Sequence, residues 1–196
     1  MGISKKEQIN QLLQKNQGVV QISELVAMGI TRQYATRYLQ EIDCERVAKG
    51  IYISKDAWQD DLYILSLQYK KIVFSHETAL SLHGLSRRWP ETLHVTVPRD
   101  YKVNAGGFLD VKTYSVVESR YELGLSSYTT SYGHVVPCYD KERTICDIFR
   151  VQTEQHVKQY AMKEYLNGKR NLPLLMEYAD ALQVTKKIQQ YLEVLL

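Results

Sequence analysis

Between Thr31 and Gln40 the chain carries Thr31, Arg32, Gln33, Thr36, Arg37 and Gln40. At about 100° per residue of an α-helix, Arg32, Gln33, Thr36, Arg37, Gln40 and Glu41 share one half of the wheel. Tyr34, Ala35, Tyr38, Leu39 and Ile42 share the other. Such a split alone describes any helix with one buried side. The polar half, however, holds groups of one chemical kind. Guanidinium bonds guanine O6 and N7 in pairs, and a glutamine amide does the same with adenine N6 and N7. The one acid, Glu41, stands at the far edge.

Other residues invite chemistry and are weaker. Asp110-Val111-Lys112 resembles the tail of a nuclease-type acid-x-lysine motif, but no upstream acid stands at convincing spacing. His76-Glu77 and His83 suggest a metal site. Seven helical residues span about 10.5 Å, too far for both imidazoles to hold one ion, and structural histidines are the plainer expectation. Asp147 is expected to be a buried charge satisfied by Arg143 one turn back, with Cys146 beside it a small buried hydrophobe. Arg87-Arg88-Trp89 can meet phosphate or a partner, or one arginine can stack on Trp89. With no glycine-rich phosphate loop and no nucleophile–base–acid set, the chain reads as no enzyme, with no cofactor and no metal.

The helix needs neighbours to present it. Ser4 and Glu7 form a capping box for a helix carrying Ile9, Leu12 and Leu13. A short helix from Ile22 to Met28, burying Leu25 and Val26, stops at Gly29, and Thr31 caps the next helix, to about Glu41. Helix, glycine turn and helix make a helix-turn-helix, locked by Leu25, Ile30, Ala35 and Leu39. Cys44–Val47 and Ile51–Ser54 are expected as strands around Ala48-Lys49-Gly50, a wing whose Arg46 and Lys49 can touch phosphate. Lys5, Lys6, Arg87 and Arg88 are further candidate contacts to nucleic acid or a partner.

Beyond the wing, a helix is expected from Ala57 to Lys71, then one in FSHETALSLHGLS with Ser75 as N-cap. Strands are expected at Leu93–Val97, Val111–Val117 and Tyr128–Val136, and a turn at Asn104–Gly107. From KERTICDIFR onward the pattern is helical. The fold class is α+β: a winged helix-turn-helix at residues 1–56, a linker helix at 57–71, and a larger domain at 72–196 with a small sheet and a helical end.

A length of 196 residues and 44% apolar content suit one large or two small globular domains. Net charge is only +3, and to Asp56 eight basic residues face six acidic ones, so DNA binding should be moderate and salt-sensitive. Three scattered cysteines fit a reducing cytosol. The polar N-terminus and the absence of a long apolar run predict a cytoplasmic protein without a membrane span.

GVVQISELVAMGITRQYATRYLQEI…RVAKGIY, followed in order by SHETALSLHGLS, ETLHVTVP and KERTICDIFR, resembles the AbiEi antitoxin family of type IV toxin–antitoxin systems in phage defence by abortive infection. The resemblance extends over nearly the whole chain and departs at Gln21-Ile22, where small hydroxyl residues are expected. It implies autorepression through inverted repeats in the protein's own promoter. It also implies neutralisation of a nucleotidyltransferase toxin without a stable complex. The absence of a heptad stripe favours a monomer in solution, with cooperation on DNA left open. Two alternatives remain: a metal-dependent nuclease using Asp110 and Lys112, and a winged-helix adaptor for protein.

Overall fold

The computed structural model describes residues 3–104 and 109–195; of the turn expected at Asn104–Gly107, residues 105–107 lie outside them. The chain forms two compact units, one reaching Lys70 and including Thr129–Val135, the other holding the remainder.

In the first unit Ser4 Oγ accepts from the Glu7 amide at 3.2 Å, opening α1 (Lys5–Lys15) with Ile9 and Leu13 inward. A short strand β1 (Val19–Gln21) leads directly into α2 (Ile22–Ala27). Gln21 supplies no side-chain cap to α2; its amide donates to the Leu67 carbonyl, and its oxygen accepts from Lys70. Ile22 and Leu25 take the buried face of α2. Val26, a residue off that stripe, is 47% exposed and not buried as expected.

Gly29 turns the chain at a φ of 83°, a conformation that costs glycine little, and α3 (Arg32–Glu41) follows. β2 (Glu45–Ala48) and β3 (Ile51–Ile53) make the wing, and β1 pairs with β3 in the sheet order β1-β3-β2. Three residues between two helices are too short to show a strand period, which is why β1 is not legible in sequence. Ile9, Val20, Leu25, Ile30, Ala35, Leu39 and Tyr52 close the core.

The helix expected at Ala57–Lys71 is the shorter α4 (Asp61–Gln68). Asp60 starts it by accepting from the Tyr63 amide, and Ile64 and Leu67 pack with Val19, Ile51 and Ile53.

The second sheet runs β6-β5-β4-β8-β7, built from β4 (Val73–Phe74), β5 (Leu93–Pro98), β6 (Val111–Val116), β7 (Leu125–Thr129) and β8 (Val135–Tyr139). β4 pairs antiparallel with β5 and parallel with β8, and β5 pairs parallel with β6. The single strand expected at Tyr128–Val136 is a hairpin. Thr130 N donates to the His134 carbonyl and Gly133 takes a φ of 83°, so the apparent alternation spans two strands and their turn.

α5 (His76–Leu82) follows β4, and α6 (Glu118–Glu122) precedes β7. Ser75 precedes α5 but does not cap it with its side chain. Its hydroxyl lies 2.9 Å from His76 Nδ1 and accepts from Thr96. The helical end comprises α7 (Lys141–Arg150), α8 (Gln155–Asn167), α9 (Leu172–Ala181) and α10 (Thr185–Leu195). α7 is central: it packs against α5, α8, α9 and α10, with Ile145, Ile148 and Phe149 meeting Leu80, Met162, Leu175 and Ile188.

Candidate nucleic-acid interface

Two local devices place α3. The Thr31 hydroxyl accepts from the Tyr34 amide at 3.4 Å, satisfying one free N–H of the first turn. Ile30, 1% exposed, anchors the turn before it, its amide donating to the Leu25 carbonyl at 2.9 Å. Ala35, Tyr38 and Leu39 then fall inward. Thr31, Arg32, Gln33, Arg37 and Gln40 are exposed and Thr36 is half-buried, so the expected polar face is a surface face.

The wing carries the two other basic candidates. Arg46 lies exposed on edge strand β2, its Nε donating to the Ala48 carbonyl at 3.3 Å. Lys49 is exposed at the turn, beside Gly50 at a φ of 73°.

Helix α1 brings its own cations to α3. Lys6 Nζ lies 2.9 Å from Glu41 Oε1 and 4.9 Å from the Tyr38 ring. Its hydrogen bond to Glu41 raises the Lys6 pKa, so the ammonium is spoken for by the one acid on α3. Lys5 Nζ stands 5.6 Å from the centre of the Tyr34 ring, which Arg37 also approaches, at 5.8 Å. The Tyr38 hydroxyl donates to Asn10 Oδ1.

Arg87 and Arg88 are exposed in the second unit, bordering a groove that Glu77, Glu91, Glu154 and Lys163 also line. Arg87 stacks on Tyr160 at 4.6 Å, where Trp89 was the expected partner.

The enzymatic candidates have contacts of their own. Asp110 Oδ2 accepts from Thr92 Oγ1 at 2.8 Å, and Lys112 Nζ lies 5.4 Å from the Tyr114 ring. Among the described residues no three His, Cys, Asp or Glu side chains are grouped to hold a metal ion. His76 is buried and stacked on Tyr114 with centroids 3.5 Å apart, and burial holds its pKa well below the usual imidazole range. His83 Nε2 contacts the Tyr139 carbonyl at 2.7 Å.

Arg143 Nε donates to Asp147 Oδ2 at 3.0 Å with both side chains wholly buried, the pair expected from sequence. Arg143 also donates to the carbonyls of Arg120 and Leu123. Cys146 is buried, and that burial pushes its thiol pKa up.

Two groups escaped the sequence. Asp60 Oδ2 accepts from Thr130 Oγ1 at 2.5 Å and from His134 Nδ1 at 2.9 Å, and His134 stacks on Tyr63 at 4.0 Å. Asp60 was legible as a cap, but no local signal joins residues 74 positions apart. Tyr34 fell on the apolar half of the wheel, where a ring's role as a platform for cations is invisible.

Residues 5–89 match the family model described as "Transcriptional regulator, AbiEi antitoxin N-terminal domain". No curated protein matches the chain. The crystal structure of RV2827C protein from Mycobacterium tuberculosis is similar over 98% of this chain and 82% of that one, at 13% identity and a TM-score of 0.51. That likeness shows a shared fold. Among the described residues no helix is long and apolar enough to cross a membrane. Over residues 5–89 this chain is therefore similar to the N-terminal transcriptional-regulator domain of the AbiEi antitoxin family.

Proposed function

We propose that the chain is the autorepressor and antitoxin of a type IV toxin–antitoxin system. It reads inverted repeats in its own promoter and counteracts a nucleotidyltransferase toxin without a stable complex. The exposed face of α3 carries the DNA half of this reading: Thr31, Arg32, Gln33, Arg37 and Gln40 stand clear of the core, with Thr36 half-buried among them, on a capped helix after a tight turn. These side chains enter the major groove, while Arg46 and Lys49 grip the backbone. The antitoxin half rests on the family. Lys5 is a further phosphate contact beside α3, and Arg87 and Arg88 are candidate contacts on the second unit.

Mobility shifts with promoter DNA and with random DNA test the reading. Arg32→Ala or Arg37→Ala should cost about 1–3 kcal/mol on the promoter and far less on random DNA, because each removes contact with a base edge. Equal losses on both would move these arginines to the phosphate backbone.

A further inference from the structure

The two arginines of the exposed α3 face are differently prepared. Among the described residues the Arg32 side chain has no hydrogen bond, ion pair or ring partner. Arg37, one turn after Tyr34, holds its guanidinium carbon 5.8 Å from the centre of that ring. The ring is itself fixed. Its backbone amide donates to the Thr31 cap, and its body is half-buried against the core of the first unit. A fixed aromatic face attracts a cation within about 6 Å through its quadrupole. A guanidinium held there has fewer rotamers to lose when it meets a planar pair of acceptors. Lys5 uses the same ring at 5.6 Å, which brings a second cation from α1 to the flank of α3.

We infer that Tyr34 is a positioning residue for base readout: its ring aims the Arg37 guanidinium before DNA arrives, while Arg32 is ordered only by the DNA. This rests on the assignment of α3 as the DNA-contacting helix. The ring touches no base. It acts on specificity through Arg37 and on general grip through Lys5.

The test uses the full-length protein and a duplex that it selects from a random pool, together with every single-base variant of that duplex. Arg37→Ala and Arg32→Ala identify the base position that each arginine discriminates. Tyr34→Leu keeps an apolar side chain on the core but removes the ring. It should lower discrimination at the Arg37 position by roughly 2–5-fold and leave the Arg32 position untouched. Tyr34→Phe should behave as the parent, since the ring is kept. In an Arg37→Ala background Tyr34→Leu should cause no further loss of discrimination. Loss of the Lys5 contact weakens binding to every duplex alike, so the ratio between right and wrong base isolates Arg37.

Unchanged discrimination at the Arg37 position in Tyr34→Leu overturns the inference, as does an equal fall at the Arg32 position, which is what a merely loosened helix produces. If Arg37→Ala itself alters no base preference, the assignment of α3 falls and takes this inference with it. A normal Arg37→Ala effect beside an inert Tyr34→Leu removes the inference alone.

Discussion

Replacing Asp60 by alanine should loosen the winged-helix unit more than any change on the exposed face of α3. The carboxylate is 2% exposed and serves three donors: the Tyr63 amide at 3.2 Å, Thr130 Oγ1 at 2.5 Å and His134 Nδ1 at 2.9 Å. A lost N-cap costs about 1 kcal/mol, and hydrogen bonds to a charged acceptor contribute about 1.5–3 kcal/mol each. The three share one acceptor group and cannot simply be added. Thr130 and His134, 7% and 6% exposed, would keep their burial and lose their partner. Breaking a buried pair from one side typically costs about 3–5 kcal/mol, and that is the expected loss.

Hydrogen exchange of the full chain gives the assay, because it resolves one unit from the other. Amides of α3 and β3 should lose protection by roughly 10²–10⁴-fold, while those of α7 keep theirs. Asp60→Asn, which keeps an oxygen for the Tyr63 amide, should fall between parent and alanine. Asp60→Ala combined with His134→Ala should cost less than the sum of the two. A loss below about 1 kcal/mol in Asp60→Ala, or strict additivity in the double variant, would refute the claim that these residues hold each other in place.

Two further outcomes follow from the charges. Lys49→Ala should weaken binding to all DNA sequences alike and reduce the slope of log affinity against log salt by about 1, as measured by titration at several salt concentrations; an unchanged slope would take the wing off the DNA. Stability should fall as pH drops from about 6.5 towards 4, because burial and then the Lys112 cation hold the folded-state pKa of His94 down to about 4. In that window the unfolded chain takes up the proton and the folded chain resists it. His94 therefore contributes a slope of at most about 1.4 kcal/mol per pH unit, and His94→Gln should flatten the curve in urea unfolding followed against pH.

The elements around the exposed face of α3 were legible because each announces itself locally. Ser4 and Thr31 are caps, Gly29 is a turn, and the Arg/Gln against Ala/Leu division of α3 is a period of one helix. Arg143–Asp147 was legible for the same reason, being one turn apart on α7. Val26 shows the limit of local reasoning: an apolar type predicts burial, but its angle on a six-residue helix leaves it outside.

What the sequence by itself determined is therefore the set of side chains presented on the outer face of α3, since helical period and capping act over four residues or fewer. Tertiary structure decided who restrains them. It paired Lys6 with Glu41, set Lys5 and Arg37 on one tyrosine, inserted β1 beside β3, and gave Asp60 its partners from a hairpin about seventy residues away. Those contacts form only once the core has closed, and no spacing along the chain encodes a distance between segments that folding alone brings together.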